Sequence, residues 1–349
     1  MKNLFVVNTP FHLLSAFILT HTVYRHDDNY LVLVRSHGYD KWADSPLMTY
    51  LSSTDSGWCA VFPLIHWLSS KKKDNPSFRQ QAKTVQEQIG SVGIDEIFLG
   101  CDVDPYDQLL VATLGKESFW RLDDGMYSYS YAEKRRNRLH QLFHQLKAVY
   151  MKRQMGIKSS LPINTTANGD SPAGKGDILY LPQLLTRYSP CVREITAEEI
   201  AEAMAELEEV GLYRPICPTE DAYAIYLSQG SLAVEEEVKI LANVMDKLAG
   251  QRLIYKPHPN DSADKLQYIG EHMMNVVLCD SKIPVEVMLS MEKNIKTVIG
   301  YQSTTLALAG KFTGRDIDCI SIAKLYTKRE MNPVYFDMLQ KMQVRFIEP

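Results

Sequence analysis

The 349-residue sequence predicts an α/β protein made of two doubly wound, Rossmann-like halves with a cleft between them. Three observations lead there. Short apolar runs alternate with segments long enough to hold helices, which is the pattern of parallel βαβ units. The alternation starts afresh after a break at Arg214-Pro215 to Pro218. The length also suits two domains of roughly 150 residues each.

In the first half Leu4-Phe5-Val6-Val7 reads as a buried strand, Asn8-Thr9-Pro10 as a turn with proline placed to start a helix, and Phe11 to His21 as that helix. Strands follow at Tyr30 to Val34, Glu96 to Leu99 and Phe119 to Leu122. From Lys134 to Lys158 there are eight Lys/Arg and no acid, with Leu139, Leu142, Phe143, Leu146 and Val149 near one helical face, so a basic amphipathic helix is expected. Ser159 to Gly176, rich in Ser, Thr, Asn, Gly and Pro, reads as a flexible loop, and Ile178 to Leu181 as a strand. Thr196 and Glu199 have capping-box spacing ahead of an acidic helix with Ile200, Met204 and Leu207 inward, ending near Gly211.

The second series comprises strands at Ala222 to Leu227, Leu253 to Tyr255, Val276 to Leu278, Thr297 to Ile299 and Cys319 to Ile322. Its helices are Leu232 to Leu248, Pro284 to Met291 and Thr304 to Lys311. Pro333 to Val344 reads as a closing helix. These signals place a first domain over 1–190, a second over 191–332, and a tail over 333–349 that could cross back to the first.

Hydrophobic residues make up 45% and charged residues 23%, the balance of a soluble globular chain and not of a disordered or membrane-bundle one. Lys and Arg number 38 against 42 Asp and Glu, a net charge of -4, so no global basic field prepares for nucleic acid. The six cysteines lack the paired short spacing of zinc or redox motifs and read as reduced thiols. The first apolar run is too short for a signal peptide and none reaches the roughly 18 residues of a bilayer span, so work in the cytoplasm or on a membrane surface facing it is expected.

Ligands of open parallel sheets sit beyond the carboxyl ends of strands, which directs attention to the residues just after each strand. Asp123-Asp124-Gly125 follows one: either a general base for a hydroxyl nucleophile or a turn braced by Asp side chains. Lys256-Pro257-His258-Pro259-Asn260 follows another; two prolines stiffen the loop and aim an imidazole beside a cation, although a plain surface histidine has the same letters. Ser303-Thr304-Thr305 opens an apolar helix, as a phosphate cradle or as ordinary capping. Ser228-Gln229-Gly230-Ser231 and Ile283-Pro284-Val285-Glu286 add two less specific polar strand-end clusters, the Glu suited to ribose hydroxyls.

Taken in order, Arg121-Leu122-Asp123-Asp124-Gly125, Lys256-Pro257-His258-Pro259 and Ser303-Thr304-Thr305 resemble the bacterial CMP-sialic acid-dependent sialyltransferases, including the lipooligosaccharide enzymes of glycosyltransferase family 52 and their polysialyltransferase relatives. Thr9-Pro10-Phe11-His12-Leu13-Leu14 looks like the family's first turn and helix. The resemblance implies a GT-B fold, a CMP-activated donor, inversion at the anomeric carbon, and no metal or other cofactor. It implies Asp124 as general base with Asp123 as fallback, and His258 as acid toward the departing phosphate. It places Lys256, Pro259, Ser303, Thr304, Thr305, Glu286, Gln229 and Gly230 on the donor, and Thr9, Pro10, Phe11, His12 and Tyr127 on the acceptor.

The expected reaction is transfer of sialic acid, or a related nonulosonic acid, to a terminal galactoside of a bacterial surface glycan such as lipopolysaccharide or capsule. A lipid-linked acceptor would bring the basic 134–158 segment and Lys71-Lys72-Lys73 to an anionic membrane, against the plainer reading of a solvated helix face. The acidic run Glu235-Glu236-Glu237 offers a different source for the base. A CMP-Kdo transferase, a carboxylate-pair glycosidase and a non-catalytic nucleotide- or glycan-binding relative remain as alternatives.

Overall fold

The computed structural model describes residues 1–35, 45–65, 78–129, 138–164, 168–216, 221–230, 232–248, 250–258, 261–273, 275–279, 282–325 and 331–348. The chain divides into two units, Met1–Ala203 and Met204–Pro349, each with its own parallel sheet.

The first unit runs β1 (Lys2–Val7), α1 (Pro10–His21), β2 (Asp28–Arg35), α2 (Pro46–Leu51), β3 (Ala60–Ile65), α3 (Phe78–Gly90) and β4 (Glu96–Leu99). It continues with α4 (Pro105–Thr113), β5 (Phe119–Leu122), α5 (Arg138–Met155), β6 (Gly174–Leu179), β7 (Val192–Glu194) and α6 (Ala197–Glu209), the last reaching into the second unit. The strand order is β3-β2-β1-β4-β5-β6-β7. β1 is buried on both faces, as its unbroken apolar run requires. Leu4 and Val6 join Val32, Val34 and Leu99 on one face, and Phe5 stacks on Phe98 at 4.5 Å. The capping box closes as expected: Thr196 N–H donates to Glu199 Oε2 at 3.0 Å and Glu199 N–H to Thr196 Oγ1 at 3.3 Å.

The second unit contains β8 (Tyr223–Leu227), α7 (Val234–Lys247), β9 (Arg252–Lys256), α8 (Ala263–His272), β10 (Val276–Leu278), α9 (Val285–Met291), β11 (Ile295–Gly300), α10 (Thr304–Thr313), β12 (Asp318–Ser321), α11 (Pro333–Lys341) and β13 (Arg345–Phe346). Its order, β10-β9-β8-β11-β12-β13, repeats the Rossmann arrangement.

Three details depart from the sequence expectations. β7 pairs with β6, so the division falls at 203/204 and not at 190/191. The tail belongs to the second sheet, because β13 pairs with β12. The tract expected to be a flexible loop is tied down at its described ends. Gln108 exchanges hydrogen bonds with the Asn164 main chain (2.9 and 2.6 Å), Asp102 accepts from Gly169 N–H (2.8 Å), and β6 begins at Gly174. Residues 165–167, together with Lys71, Lys72 and Lys73, lie outside the described residues.

Beneath the β5 and β6 ends, Asp177 accepts from Arg121 (2.7 and 2.9 Å) and from Arg187 (2.6 and 3.1 Å). Burial pushes its carboxyl up, yet the two guanidiniums outweigh burial and hold it down to about 2. Breaking a buried charge cluster leaves the partners uncompensated, so Asp177→Asn is expected to cost about 3–5 kcal/mol in urea unfolding at pH 7. Because the folded-state value is depressed, roughly 2 kcal/mol of the gap between wild type and variant disappears as pH falls from about 4 to about 2. A gap that is small, or constant over that window, would show that the cluster does not support the fold in this way.

Candidate active site

In the first unit the strand order reverses between β1 and β4, so the loops after these strands splay apart and leave a crevice at the carboxyl edge of the sheet. Thr9 caps α1, its hydroxyl accepting from His12 N–H at 3.1 Å, and Pro10 occupies the first helical turn. This places His12 one turn into the helix, directly over the crevice. Its ring is only 1% exposed. Nδ1 lies 2.6 Å from Asn8 Oδ1, and Nε2 lies 2.9 Å from Asp124 Oδ1.

The orientation of Asn8 gives these contacts a direction. Its amide Nδ2–H donates to Asp107 Oδ2 at 3.1 Å, which turns the carbonyl oxygen toward the imidazole, so Nδ1 carries a proton and donates. At the other end of the ring Nε2 stands within hydrogen-bonding distance of one Asp124 oxygen and leaves the second oxygen free of the imidazole. Asp107 closes the chain from below. It is buried, with Oδ1 lacking a hydrogen-bond partner, and burial, followed by the nearby Asp104 and Asp124 charges, pushes its carboxyl well up. Burial and the same Asp124 and Asp107 charges also push up the neighbouring Cys101 thiol, which makes it a poor nucleophile.

The two adjacent carboxylates have separate duties. Asp123 is fully buried and accepts from the Tyr129 hydroxyl, Gly125 N–H (2.8 Å) and Tyr180 N–H (3.0 Å). Burial pushes it up to about 6, against these three donors. It braces the turn after β5, where Gly125 at φ +71° takes a left-handed conformation. The fallback base is therefore withdrawn from any substrate. Asp124 is the carboxylate that meets solvent, 29% exposed, with Asn168 Nδ2 3.5 Å from Oδ2. It combines an accessible oxygen with one anchored to a buried imidazole, as proton acceptance from a substrate hydroxyl requires.

Among the expected acceptor contacts, His12 is too buried to touch an acceptor and instead faces Asp124. Thr9 and Pro10 build the cap, Phe11 lies against Tyr180 with ring centroids 5.4 Å apart, and Tyr127 is exposed in the turn after Asp124. Asn8 and Asp107 were not singled out from the sequence; a polar residue after β1 was the only local signal.

In the second unit the order reverses between β8 and β11, with β9 on the other side of β8. Leu227 at the end of β8 pairs with Lys256, so Gln229-Gly230 and Lys256-Pro257-His258 leave the same sheet edge as Ser303-Thr304-Thr305. Pro259 and Ser231 lie outside the described residues. Ser303 caps α10 by accepting from Thr305 N–H at 3.2 Å, which leaves its own hydroxyl proton to donate. Thr305 is buried, and its hydroxyl donates to Glu286 Oε1 at 2.9 Å. Burial pushes the Glu286 carboxyl up, opposed by Thr305 and by the charge of Lys256. Thr305 therefore orients Glu286, and Thr304 with Ser303 stands at the helix start. Of the acidic run, Glu237 is committed to a buried ion pair with Lys265.

Two parallel-sheet α/β units of this kind define the GT-B class of glycosyltransferases. The structure is similar to the GT-B domain of a sialyltransferase from Photobacterium damselae, with 13% identity, TM-score 0.51, and 99% of this chain and 100% of that one covered. It is also similar to a UDP-GlcNAc 2-epimerase from Neisseria meningitidis (11% identity, TM-score 0.57, 100% and 88% covered) and to the glycosyltransferase SnogD from Streptomyces nogalater (12%, 0.56, 100% and 88%). No curated protein matches the sequence. The family model for alpha-2,8-polysialyltransferase matches residues 3–316, and the chain belongs to that family. The resemblance to bacterial sialyltransferases is thus borne out, and the protein is a sialyltransferase.

One residue with no side chain guards the imidazole. A Cβ on Gly100, just after β4, would come within 2.3 Å of His12 Nδ1 and 2.6 Å of its Cγ. Gly100→Ala is expected to displace the ring from Asp124 and lower turnover by about 10-fold or more, at a cost of about 1–3 kcal/mol in stability that leaves the chain folded. Unchanged turnover in a folded variant would show that the placement of His12 has no catalytic consequence.

Proposed function

We propose that this sialyltransferase moves sialic acid from a CMP-activated donor to a glycan hydroxyl with inversion at the anomeric carbon. Asp124 takes the acceptor proton as the hydroxyl oxygen attacks; the bond from the anomeric carbon to the CMP phosphate oxygen breaks, and His258 protonates or hydrogen-bonds the departing phosphate. The observation that carries this reading is the accessible Asp124 carboxylate hydrogen-bonded to buried His12 at the crevice of the first sheet. The buried imidazole fixes one Asp124 oxygen, so the other is held in place to take the proton of an acceptor hydroxyl.

On the donor side Lys256, the Ser303 and Thr304 hydroxyls and the α10 N–H groups suit a monophosphate ester, while Glu286, held by Thr305, suits ribose hydroxyls. Gln229 and Gly230 line the neighbouring loop. A leaving CMP carries no pyrophosphate to chelate a metal ion, so these protein donors are proposed to stabilise the developing charge without one. The acceptor is proposed to be the terminal galactoside of a surface glycan. The family's alpha-2,8 designation favours a second acceptor, the terminal sialic acid of a growing chain.

The test is incubation with CMP-sialic acid or CMP-Kdo and a panel of galactosides and sialyl-terminated glycans, following CMP release and product mass. Asp124→Ala and His258→Ala are each expected to lower turnover by about 10² or more with the fold intact. Near-normal turnover in either variant removes that residue from the mechanism. Release of CMP only from CMP-Kdo, or binding without release, overturns the donor or the enzyme assignment.

The same reading places the protein on the cytoplasm-facing surface of a membrane. No helix among the described residues is long and apolar enough to cross one. On α5, however, Leu142, Leu146, Val149 and Tyr150 are 53–62% exposed at helical spacing, with Arg153 exposed further along, inside a segment of eight basic and no acidic residues. An apolar stripe with basic flanks suits an anionic interface. Sedimentation with phosphatidylglycerol vesicles is expected at low salt, weakened in Leu142→Asp/Leu146→Asp; no sedimentation at either low or physiological salt removes the membrane proposal.

A further inference from the structure

Beneath the two donor loops of the second unit lies a cluster of charges that the reaction scheme leaves unused. Lys265, in the first turn of α8, is 8% exposed. Its ammonium donates to Asp261 Oδ1 at 2.7 Å, to Ser228 Oγ at 3.3 Å and to the Gln229 carbonyl at 3.1 Å, and pairs with Glu237 of α7. The Asp261 side chain is wholly buried. Its other oxygen accepts from His258 N–H at 2.8 Å, and Asp261 N–H donates back to the His258 carbonyl at 2.9 Å. The Tyr255 hydroxyl, from the end of β9, donates to Ser228 Oγ at 2.6 Å.

One buried cation thus joins the loop after β8, which carries Gln229 and Gly230, to the loop after β9, which carries His258. The main-chain pairing stops short of Gln229 and His258, its last bond running from Ser228 N–H to the Lys256 carbonyl at 3.0 Å. A buried ammonium cannot remain without its oxygen partners, so the cost of separating them resists independent movement of the loops. The carboxylate adds direction. One oxygen is held by the cation and the other by the His258 amide, so the His258 backbone is referred to the start of α8 instead of following the β9 terminus. Charge-assisted bonds of this kind are short and stiff.

We infer that Asp261 and Lys265 are positioning residues for the transfer reaction: through the His258 main chain and the Gln229 carbonyl they hold the acid and the donor loop in one fixed arrangement. The inference rests on the reading of His258 as the acid. Asp261 itself touches no substrate. Its contribution is that the imidazole starts each turnover already aimed, which lowers the cost of reaching the reactive geometry.

A cycle of Asp261→Ala and His258→Ala, with hydrogen exchange as an independent readout, tests this. In the full-length protein, Asp261→Ala is expected to speed exchange at the His258 amide about 10-fold or more. It should lower kcat for transfer from CMP-sialic acid about 10-fold or more, with KM for the donor changed less than kcat. In the His258→Ala background the same substitution should change kcat less than about 2-fold. Asp261→Asn, whose amide oxygen can still accept from the His258 N–H while its Nδ2 meets the Lys265 ammonium, should lie between wild type and alanine in exchange and in kcat, and its partial loss is what the cycle reads if Asp261→Ala does not fold. Unchanged exchange at His258 overturns the inference and leaves the role of His258 standing. An equal kcat loss in both backgrounds also overturns it, by assigning Asp261 to general stability. Wild-type turnover in His258→Ala alone overturns the reading of His258, and with it the functional half of the inference, whatever the exchange shows.

Discussion

In both units the chain starts a sheet in the middle, winds outward in one direction, then returns to the middle and winds the other way. This reversal is the constraint on which the rest depends. At β1 and β4, and again at β8 and β11, neighbouring strands send their connections to opposite faces, so the carboxyl edge between them is left without a crossing helix. Polar main-chain groups at that edge need partners. In the second unit the Ser303 hydroxyl accepts from one such N–H, while in the first Asn8, His12 and Asp124 fill the edge bonded through their side chains to one another. Apolar strands elsewhere make these places rigid, because β1 and β8 are buried almost throughout.

The two edges solve their electrostatics differently. In the first unit carboxyls outnumber cations: Asp107, Asp123 and Asp124 lie close together, and neutral donors stand between them, namely the Asn8 amide, the Tyr129 hydroxyl and backbone N–H groups. The proton content of such a cluster is adjustable. In the second unit ammonium groups balance the acids, with Lys265 between Glu237 and Asp261 and the Lys256 charge felt at Glu286. There each acid is paired with or faces a cation, and what the pairs set is geometry. The proposed division of labour, proton acceptance in one half and leaving-group binding in the other, rests on these two solutions.

Much of this was legible in the sequence, and what was not has a physical reason. The buried central strands announced themselves by unbroken apolar runs; Glu96–Leu99, Phe119–Leu122 and Val276–Leu278 fall where they were read. β3 was missed because Pro63 interrupts its apolar pattern, and β13 because two residues carry no periodicity. Asp124 and His258 stood out since stiff, polar strand ends are rare in local composition. The contacts that surround them did not: Asn8 and Asp107 are 99 residues apart, His12 and Asp124 112, and Lys265 and Ser228 37. Such pairs are brought together only by strand order. His12, read as a contact for the acceptor, shows the limit plainly, because its letter and its cap were right and its direction was not readable.

Pro63 has one more consequence. β3 forms an outer border of the first sheet, where a row of open main-chain groups would invite a strand from another molecule. A ring nitrogen has no hydrogen to offer, so a continuous ladder cannot be completed across this border. The same residue that hid the strand from a reader of the sequence also discourages neighbouring molecules from fusing their sheets into a fibre.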